Sequence, residues 1–479
     1  VPGGRLRSYE ATAALAVPGV VAVHAEGQRV FVCGTTTHAA MLGREALVVQ
    51  WDPGEHATAS SAEVMARALT LLEQPGAIAR REGVGVDGLA GAGQTVTAEY
   101  RLPYLAHATM EPMNCTAEVL PDACRIYVPT QAPQNVQQRA AQWLGLPLAA
   151  VLVQPTHVGG GFGRRVALDF VEEALVLARH LRRPVQVVWT REDDFAHDLY
   201  RPCSAHRLVA RLDAAGLPVA WQHRIVTPSI LGQDPSFRQP IDPVAVEGAM
   251  ELPYGIANLQ VEFTPLPAPF PIGFWRSVGH SFNAFAVECF VDEVAVAAGR
   301  DAVALRRELL TASGQEAHRA VLDLAVARAG PELTGDGVGR GVALHASFGS
   351  MVAMVVDLRV TAGAIRIERV CAAVDCGYAV HPDGVRAQIE GAVAFALSAV
   401  LHGEVAFADG KAQASNFHDQ PLLRFAAMPA VTVHLVERDE PPATLGGVGE
   451  IGVPPVAPAV ANALFRATGQ RVRSLPLRR

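Results

Sequence analysis

Residues 149–190 read AAVLVQPTHVGGGFGRRVALDFVEEALVLARHLRRPVQVVWT, and the order of patterns in them decides the fold class. AAVLVQP is an apolar run of strand length. VGGGFGRR (158–165) is a glycine-rich loop. VALDFVEEALVLARHL places its apolar residues at helical spacing, with Asp169, Glu172 and Glu173 early and Arg179, Arg182 and Arg183 late, the order that suits the helix dipole. VQVVWT alternates as a strand. A strand, loop, helix and strand in this order could open a dinucleotide-binding fold. That fingerprint, however, wants an acid roughly 20 residues beyond its glycines, and here the next strand runs out to Glu192 and Asp193, too far along. The lysine and hydroxyl residue of a P-loop are also missing. The glycines can present backbone N–H groups to a ligand or simply form a tight turn. The residues alone leave both readings open.

Working outward, the segment from Tyr9 to Asp52 shows strand-like VVAVHA and RVFVCG, a small-residue helix through AAMLGREAL, and the strand VVQWD. A helix near 61–73 leads to the bridge GVGVDGLAGAGQ, a boundary near residue 95. Next come the strand QTVTAEYRLPY, loops around MEPMNCTAE, the strand CRIYVPT and a helix near 134–144. Past 190, AFAVECFVDEVAVAA and TASGQEAHRAVLDLAVARAG read as helices, and GDGVGRG marks a second boundary near 335. MVAMVVDLRV and AIRIERVCAAVD form strands about the turn TAGA, followed by the helices VRAQIEGAVAFALSAVL and PPVAPAVANALFRATG. The expectation is an α+β chain divided as 1–95, 96–334 and 335–479, with no solenoid repeat.

Bulk composition narrows the partners. At 479 residues, with 50% hydrophobic and 18% charged residues, much of the chain must be interior or interface. A net charge of −7 offers no footprint for nucleic acid or an anionic membrane. No run approaches the roughly 18–20 apolar residues of a membrane span, so a soluble chain is expected. Cysteines at 33, 115, 124, 203, 289, 371 and 376 form no CxxC pair and no iron–sulfur or zinc spacing, which predicts buried thiols. The sequence starts at Val1 without an initiator Met or a signal segment. The expectation is a truncated N-terminus, with any export signal in the missing part and the compartment open between periplasm and cytoplasm.

Four stretches carry candidate chemistry. GFWRSVGHS (273–281) sets Arg276 among aromatic residues and glycines, as an oxo-anion clamp or a buried ion-pair partner. TQAPQ (130–134) and RAQIEGA (386–392) offer Gln131 and Gln388, amides able to donate to an oxo group or to satisfy a turn. GGVGEIGVPP (446–455) holds one acid, Glu450, between glycines. It could simply cap the helix that starts near Pro454, but a capping acid needs no glycines on both sides. The histidines, including His107, His157, His280, His345, His381 and His418, match no metal-ligand spacing.

MEPMNCTAE, TQAPQ, VGGGFGRR, GFWRSVGHSFNAFAVECFVDE, VDCGYAVHPDGVRAQIEG, SNFHDQPLLR and GGVGEIGVPPVAPAVANALFRATGQRVRSLP occur in this order. Together they resemble the molybdopterin-binding large subunit of the xanthine oxidase family, in the branch of the isoquinoline 1-oxidoreductase beta subunit and its aldehyde-oxidising relatives. The resemblance implies a partial hammerhead-type N-terminal segment followed by two elongated molybdopterin-binding domains, the second carrying the catalytic glutamate. It implies a molybdenum–molybdopterin cytosine dinucleotide cofactor. By the family pattern, Gly160, Gly161, Phe162 and Gly163 line the metal side of that cofactor, Gln131 donates to an oxo ligand and Gln388 contacts the pterin. Arg276, Gly279 and Gly449 hold the cofactor region, and Glu450 is the base. Arg164 and Arg165 replace the Gly–Lys usual in xanthine oxidases proper, which points away from xanthine.

The implied reaction oxidises a carbon next to nitrogen in an N-heteroaromatic, or an aldehyde carbon. Its electrons leave through [2Fe-2S] clusters that this chain's cysteines cannot hold, so a small two-cluster iron–sulfur subunit is the expected partner, with a cytochrome c as a further acceptor the resemblance allows. The alternatives are a membrane-associated aldehyde dehydrogenase with the same cofactor and a truncated, non-catalytic scaffold for an electron-transfer partner.

Overall fold

A computed structural model describes residues 1–437 and 445–477. The strand, loop, helix and strand read in 149–190 are all present, as Val151–Pro155, the loop, Asp169–Leu181 and Val185–Val188. The two strands are not neighbours. They close opposite edges of a four-stranded sheet whose inner members are Asn114–Val119 and Cys124–Val128. Only Val151–Pro155 pairs in parallel, with Cys124–Val128. Helices Pro133–Leu144 and Asp169–Leu181 supply Val136, Ala140, Phe170, Ala174 and Leu175 to this sheet's own core.

NCTAEV, expected as loop, is the inner strand Asn114–Val119. Its alternation is real but muted, because the buried members Cys115 and Ala117 are small.

A five-stranded sheet orders Ala77–Glu82, Asn258–Pro265, Pro218–Thr227, Ser204–Leu212 and Thr95–Leu102. A second four-stranded sheet orders Val338–Ser347, Ser350–Thr361, Ala364–Asp375 and Ala430–Leu435. Val338–Ser347 was expected as part of a glycine-rich bridge. Its glycines serve packing instead: a Cβ at Gly339 would lie 2.0 Å from the Ala463 carbonyl oxygen and one at Gly341 would lie 2.1 Å from that of Ala459, so helix Val456–Thr468 rests directly on the strand.

One large apolar core unites these two sheets through the helices His280–Ala297, Pro382–His402 and Val456–Thr468. It crosses residue 335 without a break, and Ala77–Glu82 from the first segment joins the five-stranded sheet. Helix His280–Ala297 is buried almost all round, as expected of a helix at the centre of such a core.

Helix Pro382–His402 is the one described segment long and apolar enough to cross a membrane by length and composition, which the sequence pattern did not single out. Its Val385, Ile389, Ala392, Val393, Ala396, Leu397 and Val400 pack into the core. The N-terminal segment contributes two small antiparallel sheets, Arg5–Glu10 with Val48–Asp52 and Val20–Glu26 with Arg29–Gly34, and the helices Thr37–Ala46 and Ser61–Leu72. Helix and strand are thus mixed along the described residues. All seven cysteines are free and buried.

Candidate active site

The 158–165 loop is shaped by backbone that only a few residues accept. Gly160 and Gly163 have φ of 100° and 106°, and Phe162, between them, has φ of 54°, a left-handed conformation unusual for a bulky residue. Side chains hold it there. The Gly159 N–H donates to Glu111 Oε2 at 2.9 Å, while the Glu111 N–H donates back to the Gly159 carbonyl at 3.0 Å. The buried Arg165 guanidinium donates to the carbonyls of Gly160 (2.7 Å), Pro129 (3.3 Å) and Glu111 (2.6 Å) and to Glu111 Oε2 (2.9 Å). Gln131 Oε1 accepts from the Gly163 N–H at 3.1 Å, which leaves its amide NH2 for donation elsewhere.

Arg164 anchors the far side. It forks onto Asp169 at 2.9 and 2.6 Å and lies 3.2 Å from Asp198. Burial would raise the Asp198 carboxyl, but His107 and Arg164 hold it below the usual range. His107 in turn bonds the Phe274 carbonyl at 2.7 Å, the first link to the second half of the site.

That half is built on 273–279. A Cβ at Gly163 would lie 1.9 Å from the Phe274 carbonyl oxygen, so the two loops touch backbone to backbone. The Phe162 ring stacks on Phe395 at 4.5 Å, and Trp275 lies 4.7 Å from the same ring. Arg201, buried and placed over Trp275, supports that wall.

Arg276 donates through Nε to the Gly449 carbonyl at 2.8 Å and through a terminal nitrogen to Gln388 Oε1 at 3.1 Å. Burial lowers its pKa, and Glu450 opposes that. Glu450 is bound twice by Ser277: the Ser277 N–H donates to its carboxylate at 2.9 Å, and the Ser277 hydroxyl donates to its carbonyl at 2.6 Å. Glu450 is therefore not a helix cap, because its carboxylate is held by the 273–279 segment while helix Val456–Thr468 begins six residues later.

The structure thus brings Gln131, Gly160, Gly161, Phe162 and Gly163 together on one side and Arg276, Gln388, Gly449 and Glu450 on the other, joined by the aromatic stack. Gly279 stands slightly apart. A Cβ there would lie 2.1 Å from the Val244 carbonyl oxygen, so its visible requirement is close packing at the start of helix His280–Ala297.

Ser277, Phe395 and Glu111 were not foreseen as site residues. Ser277 and Val278 take φ of 73° and 43°, and no sequence pattern announces that. Glu111 could have been picked out as an acid in MEPMN with two buried arginines in need of partners.

The residues suit a pterin-held metal. Gln131, Gly159 and Gly449 are exposed, Glu450 is half-buried, and a Cβ at Gly449 would meet nothing within 4 Å, so room remains on the face that these groups share. Their donors are backbone N–H groups, amides and a guanidinium, the set that binds a polar organic cofactor. Among the described residues no three His, Cys, Asp or Glu form a metal-holding group, so a metal on this face would arrive with its own ligands.

Comparison with known proteins agrees with this geometry. Residues 72–310 match a molybdopterin cofactor-binding domain, and residues 280–429 match a second domain of the same description. The beta chain of isoquinoline 1-oxidoreductase from Brevundimonas diminuta is 32% identical over 381 residues, covering 78% of this chain and 48% of that protein. The membrane-bound aldehyde dehydrogenase (pyrroloquinoline-quinone) of Gluconacetobacter polyoxogenes is 28% identical, covering 94% of this chain and 62% of that one. A nicotinate dehydrogenase subunit from Pseudomonas putida is 27% identical, covering 99% and 42%. The chain therefore spans between two fifths and two thirds of the length of these relatives.

In fold, quinoline 2-oxidoreductase from Pseudomonas putida 86 superposes with a TM-score of 0.82 at 15% identity, covering 99% of this chain and 92% of that one. Aldehyde oxidoreductase from Desulfovibrio gigas gives 0.79 at 14% identity, covering 99% and 74%. The matched domains define a molybdopterin cofactor-binding chain. The chain belongs to the xanthine oxidase family, as a molybdopterin-binding subunit.

Proposed function

We propose that the chain forms the catalytic part of a molybdenum hydroxylase that oxidises a carbon next to nitrogen in an N-heteroaromatic compound, or an aldehyde carbon. The observation that carries this reading is Glu450, a carboxylate fixed by the Ser277 N–H at the junction of both glycine loops. Gln131, Gly160, Gly161, Phe162 and Gly163 would hold the metal end of a molybdopterin cytosine dinucleotide, and Arg276, Gln388 and Gly449 its pterin side, with Gly279 seating the helix behind them. When bound, the cofactor supplies two-electron oxidation of the substrate carbon. The chain's own part is to orient the cofactor and to take a proton at Glu450 as oxygen is added to that carbon.

On this reading 1–95 is a partial hammerhead-type domain, and 96–334 and 335–479 are the two cofactor-binding domains. Electrons would pass to [2Fe-2S] clusters on a small partner subunit, and from there to a cytochrome c or another acceptor. The isoquinoline and aldehyde relatives support the two substrate classes equally. Replacing Glu450 with Gln keeps the side chain's shape and removes the base. The expected result is a complex with its full molybdenum content and turnover lower by about 10²–10⁴. A variant with wild-type turnover removes Glu450 from the mechanism.

A further inference from the structure

A second carboxylate lies on the other side of the turn that holds Glu450. Glu247 follows the short helix Pro243–Val246, and helix His280–Ala297 packs against it: the Cβ position of Gly279 is 3.3 Å from Glu247 Cβ. Asn283 fixes the segment by donating to the Ala245 and Glu247 carbonyls at 3.0 and 2.8 Å. Glu247 Oε2 is buried with no hydrogen-bond partner, although the side chain as a whole is 30% exposed. An orphaned acceptor of this kind is costly unless it is used.

Its neighbour is His280, whose Nε2 lies 4.0 Å away. His280 Nδ1 is 2.9 Å from Nε2 of the buried His345. Gly248, at φ 80°, lets the backbone lie on both imidazoles, since a Cβ there would be 2.8 Å from His345 Cε1 and 3.0 Å from His280 Nδ1. Phe348 covers His280 at 5.2 Å, and its carbonyl accepts from the Gly447 N–H in the Glu450 loop at 2.8 Å.

We propose that Glu247, backed by the His280–His345 pair, is the group to which Glu450 passes its proton. It is a positioning residue that acts through the base, and the inference rests on Glu450 being that base. In the step, the O–H bond at Glu450 breaks and one forms on the Glu247 carboxylate. Glu450 regains its charge, Glu247 releases the proton through its exposed edge, and no electron moves.

The two imidazoles share one hydrogen, so the tautomer of His280 records the state of Glu247. With Glu247 ionised, His345 donates to His280 Nδ1 and His280 Nε2–H faces the carboxylate. With Glu247 protonated, His280 Nε2 accepts and Nδ1 donates. Burial pushes Glu247 up to about 7, with Glu251, Asp242 and Glu450 adding to it, so it can exchange a proton near neutrality. Burial also pushes His280 down to about 4 and His345 well below its usual value, with His280 and His318 adding to the latter. Both imidazoles therefore stay neutral while Glu247 titrates.

The test has two arms. In the purified full chain labelled with 15N-histidine, the His280 signal, assigned by its loss in H280Q, should switch tautomer with a midpoint near pH 7 in the wild type and stay fixed in E247Q. In the loaded complex, E247Q should lose about tenfold in turnover at about pH 8 and should lose the fall in rate below pH 7. E247D, which keeps a carboxylate, should restore that fall. A tautomer titration that is the same in E247Q and wild type overturns the relay, and so does a loss that E247D does not restore. Wild-type turnover in Glu450→Gln would remove the base and the relay with it, whereas an unchanged titration removes the relay alone.

Discussion

The two glycine loops of the site differ in strain: Gly160, Phe162 and Gly163 take positive φ, and none of residues 446–450 does. The 158–165 loop is locked by side chains that reach its backbone, namely Gln131, Glu111 and the buried Arg165. The 446–450 loop is tied at its start by backbone, with Gly446 and Gly447 donating to the carbonyls of Cys376 and Phe348, and at its end by side chains, with the Gly449 and Glu450 carbonyls accepting from the Arg276 guanidinium and the Ser277 hydroxyl. The difference follows from what each one offers. A loop that offers N–H groups must have its φ and ψ fixed at every step, whereas a loop that offers one carboxylate needs only its root pinned.

That contrast can be broken most sharply with glycine substitutions. Gly163→Val forces a side chain into φ 106° and onto the Phe274 carbonyl, and it should cost about 3 kcal/mol or more in denaturant unfolding. Gly449→Ala faces open space and should change stability by less than about 0.5 kcal/mol. Equal costs would erase the distinction. Next, Arg165→Met strands the Glu111 carboxylate and three carbonyls and should cost about 3 kcal/mol. Arg276→Lys keeps a charge but loses the fork onto Gly449 and Gln388, for about 1–2 kcal/mol. Its larger effect should appear in turnover, because the root of the Glu450 loop moves.

One buried group beside each loop should also respond to pH, and these two respond with opposite sign. Beside the first, burial and then Asp198 push Asp194 up to about 7 from 3.8, so its contribution to stability is full below pH 3.8 and is lost as pH rises through 7. Beside the second, burial pushes His280 down to about 4 from 6.5, so its contribution is full above pH 6.5 and is lost as pH falls through 4. Each slope is at most about 1.4 kcal/mol per pH unit. In unfolding measured across this range, Asp194→Asn should flatten the neutral side and His280→Gln the acid side. The aromatic stack joins the two halves: Phe395→Leu should lose about 1 kcal/mol of ring stacking, with thermal unfolding as the readout.

Much of this was legible in the sequence because the long elements carry strong periodicity. Ser350–Thr361, Ala364–Asp375, Asp169–Leu181 and Pro382–His402 all fall where their apolar patterns put them. Asn114–Val119 was hidden by its small core residues, and Val338–Ser347 by glycines that make room for a helix rather than a turn. The glycine loops and Glu450 were visible as residue types. What could not be read was who holds them: Ser277 meets Glu450, Phe395 meets Phe162 and Glu247 meets His280 across 173, 233 and 33 positions of sequence, through tertiary approach alone.

The claim beneath all of this is that the two loops close on one molybdenum–pterin cofactor. Metal and pterin analysis of the chain purified with the proposed iron–sulfur subunit tests it most directly. The account predicts molybdenum and pterin in equal, near-stoichiometric amounts, lost together in Gly163→Val. A fully assembled, folded complex containing neither would contradict it.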